Sequence, residues 1–152
     1  MREQVIASVS STFLAVVEQL TFMFGEPAHK AAILEADGEY VLAQLSFTGD
    51  VQGVLSLAVP SECVPEIAAN ILGLEPEEME AASMAPDSLG EMLNVICGHI
   101  IMAIAGKAAD FRLGSPAVGP ATPDFLAARV DDPDWLGFLL EENIVLLGLV
   151  TE

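Results

Sequence analysis

The chain has 152 residues, 53% of them hydrophobic and 18% charged, with mean hydropathy +0.53. That is enough apolar material for one packed domain over 1–152, and it argues against disorder. Its 23 acids against 5 bases leave a formal net charge of −18. Phosphate backbones and anionic lipid surfaces are therefore disfavoured partners, and a surface presenting lysines or bound cations is favoured, although the acids also serve simply to keep an apolar protein soluble.

Residues 3–24 read as an amphipathic helix, with Val5, Val9, Phe13, Val16, Leu20 and Phe24 along one stripe, ending near Gly25–Pro27. The leading segment lacks the net positive start and small-residue cleavage site of a signal peptide. No charge-free stretch reaches the ~18 residues of a membrane span, so a cytoplasmic location is expected. Three strand-like runs follow: Ala31–Ala36, then Tyr40–Phe47 after the Asp37–Gly38 turn signal, then Val51–Val59 after Gly49–Asp50. Pro60–Ser61 opens a helix with Ser61 as the expected N-cap, Ile67, Ala68, Ile71 and Leu72 as its apolar face, and Gly73 as its stop. The acidic segment Glu75–Glu80 leads, as a linker or a short helix, to a long helix expected from Pro86 to about Lys107, proline suiting a first turn. The tail returns to strands at Leu113–Val118, Phe125–Val130, Trp135–Leu140 and Ile144–Val150. The order helix, strands, helices, strands predicts an α+β domain, with helices packed on one face of a mostly antiparallel sheet.

The cysteines, Cys63 and Cys97, are isolated, and Cys97 lies in an apolar helical run, so buried free thiols in a reducing compartment are expected. His29 and His99 are far apart, no Cys/His cluster exists, and no metal site is expected. His99 flanks the apolar side of the long helix and reads as a core histidine. Trp135 reads as a core anchor of its strand.

The long helix carries the informative pattern. At ~100° per residue, Asp87, Glu91, Asn94, Gly98 and Ala105 share one side, opposite Leu89, Leu93, Ile96, Ile100, Ala103 and Ile104. A glycine inside a helix costs about 1 kcal/mol relative to alanine, and close approach of another backbone is one reason to keep Gly98. Glu91 can pair with a lysine. The Asn94 amide is a poor base, but it can orient a water, as the glutamine of some GTPases does in phosphoryl transfer. An anion to dock and an amide to position water suit hydrolysis of a phosphoryl group, provided metal and phosphate come from elsewhere, since the chain has no P-loop. A structural alternative stands beside this one. Ser88-Leu89-Gly90-Glu91 matches a capping box, in which Glu91 only satisfies a backbone N–H, and the helix taken alone favours it; Pro86 weakens it by moving the cap to Ala85.

The wider spacing tips the balance. Asp87-x3-Glu91-x2-Asn94-x21-Pro116 resembles the signature of the CheC, CheX and FliY phosphatase family, and such a four-position match arises by chance in on the order of one chain in several hundred. Length and element order are also similar to CheX. The resemblance implies hydrolysis of the aspartyl phosphate of a CheY-like response regulator in chemotaxis or another two-component pathway. Glu91 would pair with the receiver's lysine, Asn94 would orient the attacking water, Asp87 and Gly98 would support docking, and Pro116 would be structural. Mg2+ would sit on the receiver, with no cofactor in this chain. One motif copy is present. Glu66 and Asn70 on the preceding helix stand four apart rather than three, and Glu18 on the first helix has Thr21 in the Asn place. A single copy resembles CheX, which implies a homodimer, with Ile101 and Met102 expected partly outward. The alternative is a non-catalytic dimeric module that binds a receiver or a flagellar-switch protein.

Overall fold

The computed structural model describes residues 2–73, 75 and 79–152, the last with backbone only over 79–84. Residues 76–78, in the middle of the acidic segment Glu75–Glu80, lie outside the described residues.

The chain runs α1 (Glu3–Thr21), β1 (Gly25–Ala28), a 3-10 turn (Lys30–Glu35), β2 (Tyr40–Gly49), β3 (Gly53–Pro60), a 3-10 turn (Ser61–Cys63), α2 (Val64–Leu72), α3 (Met79–Ala105), β4 (Phe111–Leu113), β5 (Ala117–Ala121), α4 (Pro123–Arg129), β6 (Trp135–Leu140) and β7 (Asn143–Thr151). The strands form one seven-stranded sheet in the order β1-β6-β7-β3-β2-β4, with β5 pairing β2 beyond β4 on the same edge. Every pairing is antiparallel.

Strand alternation sets the two faces. Ala43, Leu45 and Phe47 of β2, Leu55, Leu57 and Val59 of β3, and Val145, Leu147 and Leu149 of β7 turn to one side. There they meet Val9, Phe13, Val16 and Val17 of α1, Ile67 and Ala68 of α2, and Leu89, Leu93, Ile96 and Ile100 of α3. Each fully buried Leu, Ile or Phe here contributes roughly 1.5–3 kcal/mol. Residues of the opposite parity, among them Tyr40, Ala58 and Leu146, make a smaller core with Ile33, Leu126 and Trp135. The expected layering, an antiparallel sheet covered by helices, holds for α1–α3. The short α4 and the Lys30–Glu35 turn add a partial cover on the other face.

Several elements differ from the sequence expectation, each for an identifiable reason. Ala31–Ala36 is a 3-10 turn, which drops Ile33 into the second core; the edge strand is instead Gly25–Ala28, paired to β6. A short apolar run without period-2 alternation does not distinguish these cases. The expected strand Leu113–Val118 is broken at Gly114–Pro116 into β4 and β5. The expected strand Phe125–Val130 is the helix α4: Thr122 Oγ1 accepts from Phe125 N at 3.1 Å, Pro123 opens the first turn, and Asp124 and Arg129 complement the helix dipole. Ser61 makes no side-chain cap, and a 3-10 turn precedes α2 instead. Gly73, at φ 73°, does end α2 as expected.

The long helix begins at Met79, not Pro86, and runs unbroken through the proline. Interior proline loses one backbone hydrogen bond and costs about 3 kcal/mol. The Met, Glu and Ala of 79–85 are strong helix formers and carry the helix across it. The stretch Ala85–Ala105 is by length and composition apolar enough to cross a membrane, yet half of it is buried within the domain.

Candidate functional site

The helix start at Met79 decides between the two readings of Glu91. A capping box satisfies free N–H groups in a first turn. Ser88 and Glu91 stand more than two turns inside α3, where backbone N–H groups already have helical partners, and Ser88 is itself buried. Glu91 is therefore not a capping residue.

What the helix does with its faces follows from packing. Leu89, Leu93, Ile96 and Ile100 are buried, as their spacing requires. Ala103, expected on that side, is exposed, while Ile104 beside it is half-buried against the core. Ile101, expected partly outward, is 0% exposed, so it offers nothing to a partner copy; Met102 is half-buried. His99, expected in the core, is exposed, in line with Glu91 and Val95 at steps of four. Val95 is an apolar residue 39% exposed on this face. Trp135 is buried, as expected, edge-on to Phe125 at 5.8 Å between ring centroids.

The signature residues come together along α3. Asp87 and Glu91 are exposed, and Asn94 is half-buried. Asn94 lies ~4.5 Å further along the axis than Glu91 and ~60° round it. The two side chains do not both project into solvent. The Asn94 Oδ1 is buried and has no hydrogen-bond partner, alone in this respect among the described side chains. A buried acceptor left unpaired costs about 1–3 kcal/mol, and such groups mark places where something other than stability is served.

The cause is the frame around it. Gly90, Asn94 and Gly98 fall at i, i+4 and i+8, a stripe that drifts only ~40° per step. Pro116, in the break between β4 and β5, packs on Gly90 so closely that a Cβ there would stand 3.0 Å from its Cγ. At the other end the Phe111 ring of β4 lies 3.9 Å from where a Gly98 Cβ would be. Asn94 is thus held where helix meets sheet edge, between a proline one turn before and a ring one turn after. No backbone presses on Gly98, contrary to the expected reason for a glycine there; an added methyl would make ordinary contact. The position where glycine is required by packing is Gly90, and the Gly-x3-Asn-x3-Gly spacing was the available signal for it.

The neighbouring helices carry no such arrangement. The Asn70 Nδ2 donates to Thr21 O at 2.8 Å, closing the C-terminal end of α1. Thr21, fully buried, donates from Oγ1 to Val17 O at 2.6 Å and accepts from Met23 N at 3.2 Å. Both cysteines are free and buried, as expected. Burial pushes the Cys97 thiol up to about 12, and burial together with Glu66 and Glu62 pushes Cys63 up to about 11, so neither is a ready nucleophile at neutral pH. No group of three or more His, Cys, Asp or Glu that could hold a metal occurs among the described residues.

Comparison with known proteins bears on the fold and the family. No curated protein matches the sequence. The fold resembles the chemotaxis protein CheX of Desulfovibrio desulfuricans at TM-score 0.69, with 16% identity over 97% of this chain and 99% of that one. CheX of Vibrio vulnificus is similar at TM-score 0.70 and 18% identity, over 100% of both chains. So is a chain of the CheX–CheY–BeF3–Mg2+ complex from Borrelia burgdorferi, at TM-score 0.68 and 16% identity over 99% of each. The model of the family chemotaxis phosphatase CheX matches residues 41–123, more than half of the chain and all of Asp87 to Pro116; the protein belongs to the CheX family.

Proposed function

We propose that this protein hydrolyses the aspartyl phosphate of a CheY-like receiver, with Glu91 and Asn94 of α3 as the working pair. The observation that carries the reading is the Asn94 amide oxygen, buried and without a partner, one turn from an exposed carboxylate. Glu91 pairs with a lysine of the receiver and so brings the phosphoryl group over α3. Rotation about the last torsion of Asn94, which is broad for Asn and needs no backbone change, exchanges its amide oxygen and nitrogen and turns the oxygen outward. Its oxygen then accepts from a water and aligns that water with the phosphorus. The water oxygen bonds to phosphorus as the bond to the aspartyl oxygen breaks. The carboxylate leaves with the bonding pair, and both protons of the water stay with the phosphate, which departs as H2PO4−. Mg2+ belongs to the receiver, whose own groups neutralise the developing charge, so this chain contributes positioning rather than acid–base chemistry. The complex that one structural relative forms with CheY, BeF3 and Mg2+ supports a partner of this kind.

Asp87 and Gly98 border the pair and support docking, and Pro116 fixes the sheet edge against α3. The acidic charge and free thiols fit a cytoplasmic protein. A homodimer rests on the family resemblance alone, and sedimentation velocity tests it. The test of the activity is phosphate release from phosphorylated receivers of the same genome. Wild type accelerates it, Asn94→Ala binds the receiver but does not accelerate release, and Glu91→Ala binds more weakly. Equal activity in all three removes the assignment. Stable binding without phosphate release by the wild type would support a non-catalytic module instead.

A further inference from the structure

A groove of about 770 Å3 runs around β5, from Pro86 of α3 on one side to α4 and the Lys30–Glu35 turn on the other. Among the described residues β5 pairs with β2 alone, and no strand covers its outer edge. The volume is within the range of cavities that enclose a ligand or an anchoring side chain. Its walls are apolar: Ile33 and Leu126 are buried members of the second core, and Leu34 at the rim is 60% exposed. The charges that line it are Glu39 and Asp124, with no Lys, Arg or His beside them. Neither carboxylate has an ion-pair partner among the described residues.

The groove adjoins the signature helix. Pro86, next to the signature residue Asp87, forms one wall; Val118, also lining the groove, comes within 3.9 Å of where a Gly90 Cβ would be, one turn before Asn94, while Glu91 lies ~7.5 Å along the axis from Pro86 and ~140° round it. A folded partner that covers Asn94 and extends along α3 past Gly90 to Asp87 reaches its mouth. Two polar side chains cannot supply a stable complex, which needs roughly 800 Å2 from each partner and a buried apolar anchor near its centre. The groove supplies such an anchor site, and its acidic rim selects a basic surface.

Resting on the function proposed above, we infer that the groove is a second anchor point for the receiver, taking from it an apolar side chain flanked by lysine or arginine. Affinity would then be divided from chemistry: the groove holds the receiver while Asn94 acts on its phosphate.

Gly119 provides the test. It lines the groove on β5 with no positive φ, and a side chain added there would meet nothing within 4 Å. Gly119→Phe fills the groove from within while leaving the core untouched. Phosphate release is measured with a CheY-like receiver phosphorylated by a small acyl phosphate in Mg2+. Gly119→Phe is expected to raise KM about tenfold or more with kcat within about twofold and Tm retained. Glu39→Lys should raise KM about threefold, less at high salt. Should Gly119→Phe not fold, Leu34→Glu at the exposed rim carries the same expectation. A folded groove variant with the KM of wild type overturns the inference. Asn94→Ala is assayed alongside: unchanged kcat in that variant defeats the phosphatase reading itself, whereas lost kcat beside an unchanged groove-variant KM defeats the groove assignment only.

Discussion

α2 and α3 each carry a glutamate and an asparagine about one turn apart, and the fold uses the two asparagines in opposite ways. The Asn70 amide is bound to Thr21 O and closes the end of α1, so its hydrogen bond is part of the scaffold. The Asn94 amide oxygen is as well shielded, yet it has no partner. What packs against each helix explains the difference. Asn70 reaches the end of α1 and finds Thr21 O there, while Asn94 lies between Gly90, packed by Pro116, and Gly98, faced by the Phe111 ring. On α1 the equivalent place holds Thr21, also committed to its own backbone. A glutamate–asparagine pair in sequence is therefore no sign of a site; an amide left uncommitted by its surroundings is.

Substitutions break this comparison at several strengths. The largest effect is expected on turnover: Asn94→Ala lowers kcat on the order of 100-fold, comparable to removal of one positioned transition-state hydrogen bond, while Asn70→Ala stays within about twofold below its melting temperature. Docking comes next. Glu91→Gln raises KM about tenfold at low ionic strength and less in high salt, and Glu66→Gln leaves KM alone. Packing of the frame follows: Gly90→Val drives side-chain atoms into Pro116 and costs about 1–3 kcal/mol in denaturant titration, whereas Gly98→Ala is tolerated and adds up to about 1 kcal/mol of helix propensity.

The scaffold role of Asn70 is smaller again. Asn70→Ala loses about 1 kcal/mol, and Asn94→Ala loses none or gains a little because an unpaired acceptor is removed; thermal melts of the two distinguish them. The subtlest effect is on pH. Burial holds the Cys97 thiol at about 12 against 9.0 unperturbed, so the folded state keeps its proton after the unfolded chain has lost it. Stability is then independent of this group below pH 9 and falls as pH rises from 9 toward 12. Cys97→Ala should flatten that decline; an unchanged alkaline limb would contradict the burial argument.

The fold was legible where pattern and length agreed. The α1 stripe from Val9 through Val16 and the core face of α3 through Ile100 follow from periodicity, and β2, β3, β6 and β7 from apolar runs bounded by turn residues; Phe24, expected on the α1 stripe, lies past the helix end at Thr21 and is 67% exposed. The fold was illegible where two local signals competed. Phe125–Val130 looks like a strand by its apolar content, but Thr122-Pro123-Asp124 caps a helix, and the cap won. Pro86 looks like a helix start, but the good helix formers before it extend α3 to Met79. The motif residues could be found by spacing, because one helix presents Asp87, Glu91 and Asn94 whatever surrounds it. The inward turn of Asn94, the exposure of His99 and the contact of Gly90 with Pro116 depend on which residues of a distant strand pack against α3, and no local pattern encodes that.

The central claim is that the Asn94 amide performs the chemistry and does not hold the partner. The most direct measurement is the single-turnover decay of receiver aspartyl phosphate at saturating protein, with receiver affinity determined on the same samples. Asn94→Ala should bind within about threefold of wild type and leave the decay at the receiver's own rate, while Asn70→Ala accelerates it as wild type does. Decay at the wild-type rate with Asn94→Ala bound at saturation would contradict the account.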